Sequence, residues 1–170
     1  MALLVVDGDA FGPRQDFYNH RDFPRFGFTA ADELIFNGFE RSDWVAGGTA
    51  NDRLDGNNGT ETDQIDQLTG WLGADTFVLN NYYGLQNNEG FAIIWDFNPF
   101  EGDTIAVFGN PEDYFFVQDS NTWLDNAPLG SFFPASAPNT IIARRDDVFG
   151  AVMIAAVSNI SLDAGDLTFL

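Results

Sequence analysis

The chain has 170 residues and a formal net charge of −19, set by 26 acidic and seven basic residues, with a single histidine. Its hydrophobic content of 45% argues against a disordered acidic tail and allows one domain with a real core, or a small repeat unit plus a cap. The absence of cysteine excludes a disulfide scaffold, a zinc ribbon and thiol catalysis.

The acids are 20 Asp against 6 Glu, and aspartate favours turns because it bonds its own backbone. There is no lysine; all seven basic residues are arginines. Such a surface repels nucleic acid and anionic membrane and attracts divalent cations. A halophile-type acidic surface is the alternative source of this charge.

Residues 1–36 read as an N-terminal strand and an aromatic, arginine-bearing segment that caps the repeat region beginning at residue 37. Leu3–Val6 predicts a short strand. The apolar run Met1–Val6 is too short for a secretory signal, and no stretch reaches the length of a membrane span. His20, Arg21 and Arg25 form a local positive patch, in which the histidine reads as structural. Thr29–Leu34 suits one helical turn or a lead into the repeats.

Residues 37–79 carry glycine–aspartate turns. Gly47-Gly48-Thr49-Ala50-Asn51-Asp52-Arg53-Leu54-Asp55 opens on two glycines and has aspartate at its sixth place and an apolar residue at its eighth. Gly70-Trp71-Leu72-Gly73-Ala74-Asp75-Thr76-Phe77-Val78 shares the frame, with Trp71 where a second glycine is usual. Asp43-Trp44-Val45 and Asp66-Gln67-Leu68 precede the matching triplets by nine residues. Between Asp55 and Asp66 the register slips, and Asn58–Ile65 reads as a repeat of its own. A nine-residue period with this grammar is that of a calcium-binding parallel β-roll. Glycine-rich turns turn carbonyls inward, the aspartate adds a carboxylate, and Ca²⁺ takes about six to eight such hard oxygens. The three remaining residues form a short strand whose apolar member (Leu54, Leu68, Phe77) points inward, and each turn is stable only when stacked. Ordinary turns are the alternative.

Residues 80–170 predict an all-β cap. Phe91–Phe97, Asp103–Phe108, Tyr114–Gln118, Thr140–Arg144 and Phe149–Val157 are β-rich runs bounded by Gly, Pro, Asn and Asp. Asp96, Asn98, Glu101 and Asp103 put four oxygen side chains within eight residues, either a further calcium site or a solvated turn. Residues 121–138 form a long loop rich in Pro, Ser and Asn. Eighteen Phe, four Trp and four Tyr exceed the needs of one small core; they fill either two buried faces or an exposed patch for assembly or sugar stacking. No nucleophile elbow, zincin motif or phosphate loop is present, and the chain reads as non-enzymatic.

The stretch Asp66–Leu79 resembles the closing repeats of haemolysin-type (RTX) calcium-binding proteins. Asp96-Phe97-Asn98-Pro99-Phe100-Glu101-Gly102-Asp103-Thr104-Ile105 is similar to the D-F-x-P-x-x-G-D-x-I segment that comes after them, especially in cyanobacterial members, and the tail from Asp146 to Leu170 is similar to that group's terminal strands. The resemblance implies an all-β fold, a short right-handed parallel β-roll of nonapeptide repeats packed on a β-sandwich-like C-terminal cap. It further implies type I export with an uncleaved C-terminal signal and an extracellular or cell-surface location. By that pattern Asp43, Asp52, Asp63, Asp66 and Asp75 are sixth-place ligands. Gly47, Thr49, Asn51, Asn58, Thr60, Gly70 and Leu72 are turn positions of the ligand set, and Asp96 and Asp103 are added to it.

The expected function is calcium binding by a secreted protein that folds in extracellular calcium. The alternatives are a calcium-dependent subunit of a surface layer or filament, and a carbohydrate-binding accessory module using Trp71 or Trp123. Expected partners are calcium ions and, in an assembly, further copies of the chain, with no nucleic acid and no membrane span.

Overall fold

The computed structural model describes residues 2–7, 17–18 (backbone only), 27–39, 42–58, 63–84, 90–119 (of Asp119, backbone only) and 139–170. Among them the regular structure is β, with short 3-10 turns at Pro111–Asp113 and Ala164–Asp166 and no α-helix. The strands are β1 (Leu3–Asp7), β2 (Phe17–Tyr18), β3 (Glu33–Asn37), β4 (Trp44–Ala46), β5 (Arg53–Asp55), β6 (Ile65–Thr69), β7 (Thr76–Leu79), β8 (Phe91–Ile94), β9 (Thr104–Val107), β10 (Tyr114–Asp119), β11 (Asn139–Asp146), β12 (Gly150–Val157) and β13 (Leu167–Phe169).

They build two sheets, and from β1 to β10 each strand crosses to the opposite sheet. The first sheet has the order β1-β3-β5-β7-β9-β13 and is parallel throughout. The second has the order β10-β11-β12-β8-β6-β4-β2. It is parallel from β12 to β2, and β11 is antiparallel to both β10 and β12. The three segments expected from the sequence therefore share both sheets. Instead of a sandwich-like cap, the C-terminal strands extend the second sheet, and β13 returns to the edge of the first.

Parallel register stacks like residues in columns. Val6, Phe36, Leu54, Phe77, Ile105 and Leu167 lie one over the next along the first sheet, each with at most 8% of its surface exposed. With Val45, Leu68 and Ile94 of the second sheet they form the main core between the sheets. Burying a side chain of this size stabilises by about 1.5–3 kcal/mol. Phe97 meets Phe77 in a tilted ring contact with centroids 6.4 Å apart. On β8, alternate side chains serve opposite faces. Ala92 and Ile94 enter the main core, while Phe91 and Ile93 join Ile141, Met153 and Ala156 in a second cluster. A bulge between Ile142 and Ala143 shifts the β11–β12 register.

The turns stack as closely as the strands. Gly73 has φ +130°, and a Cβ there would lie 2.1 Å from the carbonyl oxygen of Ala50 in the turn beneath. Gly73→Ala is expected to destabilise by more than about 1 kcal/mol, lowering the thermal midpoint by roughly 2–4 °C per kcal/mol. A circular-dichroism melt checks this; an unchanged midpoint contradicts the stacking of these two turns.

Candidate metal centre

Asp52, Asp75 and Asp103 each precede a strand of the first sheet (β5, β7 and β9), and the register stacks them above Leu34 of β3. Each carboxylate accepts a hydrogen bond from the amide of the column residue beneath it. Asp103 Oδ1 accepts from Asp75 N at 2.9 Å, Asp75 Oδ1 from Asp52 N at 2.8 Å, and Asp52 Oδ1 from Leu34 N at 2.8 Å. All three aspartates are buried. Of the second oxygens, Asp52 Oδ2 accepts from Gly48 N at 2.6 Å and Asp103 Oδ2 from Asn98 N at 2.8 Å. Among the described residues no donor is bonded to Asp75 Oδ2.

A glycine five residues before Asp43, Asp52 and Asp75 makes room for the carboxylate, while Asn98 holds that place before Asp103. A Cβ on Gly47 would lie 2.2 Å from Asp52 Oδ2, one on Gly70 2.1 Å from Asp75 Oδ2, and one on Gly38 2.4 Å from Asp43 Oδ2. The first place of the repeat is glycine because the carboxylate of the same repeat occupies that volume. Trp71 has φ +76°, a conformation that costs a bulky residue strain. Asp96 holds it there, its Oδ1 accepting from Gly70 N at 2.9 Å and its Oδ2 from Trp71 N at 2.8 Å. The Trp71 side chain is 53% exposed.

A second column leads into the second sheet. Asp43 precedes β4, and Asp66 of β6 lies above it, accepting from Asp43 N at 2.8 Å. Asp66 Oδ2 accepts the hydroxyl of Tyr83 at 2.5 Å. Asp55 is buried nearby, accepting from Asn57 N at 3.3 Å, Asn80 Nδ2 at 3.4 Å and the Arg53 guanidinium at 3.4 Å. Sequence reasoning found Asp43 and Asp66 but missed Tyr83, Asp55, Asn57 and Asn80. A signal existed for the asparagines: both are buried, three residues past the apolar member of their strands, Leu54 and Phe77.

Other expected ligands stand apart. Asp63 is exposed and outside both columns, and Asp66 holds the phase. The spacing shows the slip, since 23 residues separate Asp43 from Asp66 against 18 between Leu34 and Asp52. Thr49, Asn51, Asn58 and Leu72 are exposed and fasten turn to turn. Asn51 Oδ1 accepts from Ala74 N at 2.9 Å, Leu72 N donates to Gly48 O at 3.2 Å, and Asn58 N donates to Gly38 O at 2.7 Å. Thr60 and Trp123 lie outside the described residues. Among the described residues no three His, Cys, Asp or Glu side chains converge closely enough to hold a metal by themselves. A cation here would draw on column carboxylates together with turn carbonyls. No protein-family model matches the chain, and a search of curated proteins finds no match.

Burial raises carboxyls in each column. It pushes Asp75 up to about 7 and Asp52 to about 6, from an ordinary 3.8, although each accepts backbone hydrogen bonds that oppose the shift. Burial likewise raises Asp55 to about 6 despite Arg53, and it raises Asp66, Asp96 and Asp103. Neighbouring carboxylates add to it: Asp52, Asp103 and Asp96 at Asp75, and Asp43 and Asp55 at Asp66. Groups with raised folded-state values bind protons more tightly folded than unfolded. Their contribution is therefore full below pH about 4 and lost as pH rises through about 6 to 7. With divalent cations chelated, the thermal midpoint is expected to fall as pH is raised from about 4 to about 8. A midpoint that holds or rises over that window contradicts the burial of these carboxyls.

Proposed function

We propose that this is a non-enzymatic calcium-binding protein, exported and then ordered by extracellular calcium, and that its alternating sheets form a short right-handed parallel β-roll of the haemolysin type. The observation that carries the reading is the Asp52–Asp75–Asp103 column, three buried carboxylates of which Asp52 and Asp75 lie over glycines. Among the described residues the salt bridge to an aspartate is that of Arg53 with Asp55, outside this column. The residues suit a hard cation: Asp75 Oδ2 is turned over Gly70, and Asp52 Oδ2 and Gly70 O both border the space that a side chain on Gly47 would fill. Asp52, Asp75 and Asp103 would hold the ion, while Asp96 shapes the turn that faces it. Bound calcium would supply the positive charge that the column lacks.

Linkage then explains the acidic composition. Where calcium is scarce, repelling carboxylates hold the turns apart, which suits passage through a type I exporter to the cell surface or medium. Where it is plentiful, occupancy favours the folded chain. Extracellular sites have Kd of about 10⁻⁴–10⁻³ M, and ligand at 100 times Kd stabilises by about 2.7 kcal/mol per site. Two sites would approach the whole stability of a typical small domain, about 5–15 kcal/mol. A calcium-bridged assembly is favoured by one observation: the edge strand β1 exposes about half the surface of Leu3 (50%) and Val5 (52%).

Isothermal titration with Ca²⁺, paired with melts at fixed ionic strength, tests the proposal. Calcium at 100 times Kd is expected to raise the thermal midpoint by roughly 5–11 °C per site. Asp75→Asn is expected to remove at least one bound ion while raising the midpoint of the calcium-free protein, since a buried charge is gone. A melt indifferent to calcium contradicts the proposal.

A further inference from the structure

The same pair of oxygens meets over a glycine at both edges of the molecule. In the turn that leads into β5, a Cβ on Gly47 would lie 2.2 Å from Asp52 Oδ2 and 2.8 Å from Gly70 O. In the turn that leads into β4, a Cβ on Gly38 would lie 2.4 Å from Asp43 Oδ2 and 2.2 Å from Gly56 O. Each time the carboxylate belongs to the glycine's own turn and the carbonyl to the turn stacked on it. Asp43 is as deeply buried as Asp52.

The second edge adds an oxygen that the first lacks. Gln64 stands two residues before Asp66, the place that Ala50 and Gly73 hold before Asp52 and Asp75. Its stretch of backbone is fastened to the turn beneath, with Ile65 N donating to Ser42 Oγ at 2.9 Å and Gln67 N to Asp43 O at 2.8 Å. The side-chain amide enters that turn, where Nε2 donates to Phe39 O at 3.3 Å. This bond fixes which way round the amide sits, since the reverse would set two acceptors against each other. Oε1 is left over. It is buried, in a residue only 2% exposed, and receives no hydrogen bond. A buried acceptor in a folded protein is met by a donor, a water or an ion.

Resting on the calcium reading above, we infer that the turn Gly38–Asp43 holds a calcium site of its own, in which the Gln64 amide oxygen joins Asp43 and the Gly56 carbonyl as a neutral ligand. Calcium takes side-chain amide oxygens and backbone carbonyls along with carboxylates. A cation satisfies several acceptors at once, whereas a single water has too few protons to serve all of them. Two aspartates, Asp43 and Asp66, make up this column against three in the first, because the register places Ala92 over Asp66. Affinity follows the charge of the ligands, so this is the weaker site and fills at higher calcium.

Isothermal titration of the full-length chain with Ca²⁺ compares wild type, Gln64→Met and Gln64→Glu, each also melted in chelator. Methionine keeps the length of the side chain and removes the oxygen, and Gln64→Met is expected to bind one ion fewer than wild type. Gln64→Glu is expected to keep the ion count and to bind its weakest ion at least about threefold more tightly. In chelator the same variant loses thermal midpoint, since its added charge is buried without a cation. Gln64→Met with the full ion count and unchanged affinities overturns the inference and leaves Oε1 to a buried water. Should that variant lack native circular dichroism, Gln64→Glu decides, and an affinity unchanged or weakened there overturns the inference as well. A wild type that takes up no calcium has a different signature: it sinks the calcium reading itself, and the inference with it.

Discussion

The structure depends on the hydrogen bond that each aspartate of the first column accepts from the amide one turn below. Asp103, Asp75 and Asp52 extend the parallel ladder of the first sheet by one rung, using a side chain in place of a backbone carbonyl. The bond fixes the height of each turn over the next, and with it the alignment of Phe36, Leu54, Phe77 and Ile105 in the core. It also concentrates negative charge where water is excluded, so the same contact that fastens the turns stores repulsion between them.

Glycine is a geometric necessity of that arrangement. Gly47 and Gly70 clear space for the carboxylate of their own repeat; Gly48 and Gly73 clear it for the carbonyls of Ala30 and Ala50 below. Trp71 breaks the rule and needs both oxygens of Asp96 to hold its backbone. Both columns set a carboxylate oxygen over a glycine, Asp75 over Gly70 and Asp43 over Gly38, and the second adds the Tyr83 hydroxyl bonded to Asp66.

Much of this was legible in the sequence because the repeat is local. Nine-residue spacing located Asp52, Asp75, Gly47 and Gly70, and β-rich runs located β8 to β12 within a few residues. What depends on pairing was hidden. Counting along the chain cannot decide whether Asp63 or Asp66 keeps phase; the pairing of Trp44 with Gln67 decides it. Strand patterns reveal faces but not neighbours, so residues 80–170, β8 to β13, read as a separate cap although they lengthen the same two sheets. Leu34, a plain apolar residue, proved to occupy the aspartate place at the foot of the column. Tyr83 lies outside any repeat, and nothing in its local sequence connects it to Asp66.

Amide hydrogen exchange at Leu34, Asp52 and Asp75 tests the central claim most directly, because these three amides are the donors of the column. If stacked carboxylates need an added cation to stay bonded, their exchange slows on addition of calcium by at least about tenfold, the factor for 1.4 kcal/mol of linked stability. Core amides at Leu54 and Phe77 should show similar slowing. Equal protection at the three column amides with calcium and with a chelator would contradict the account.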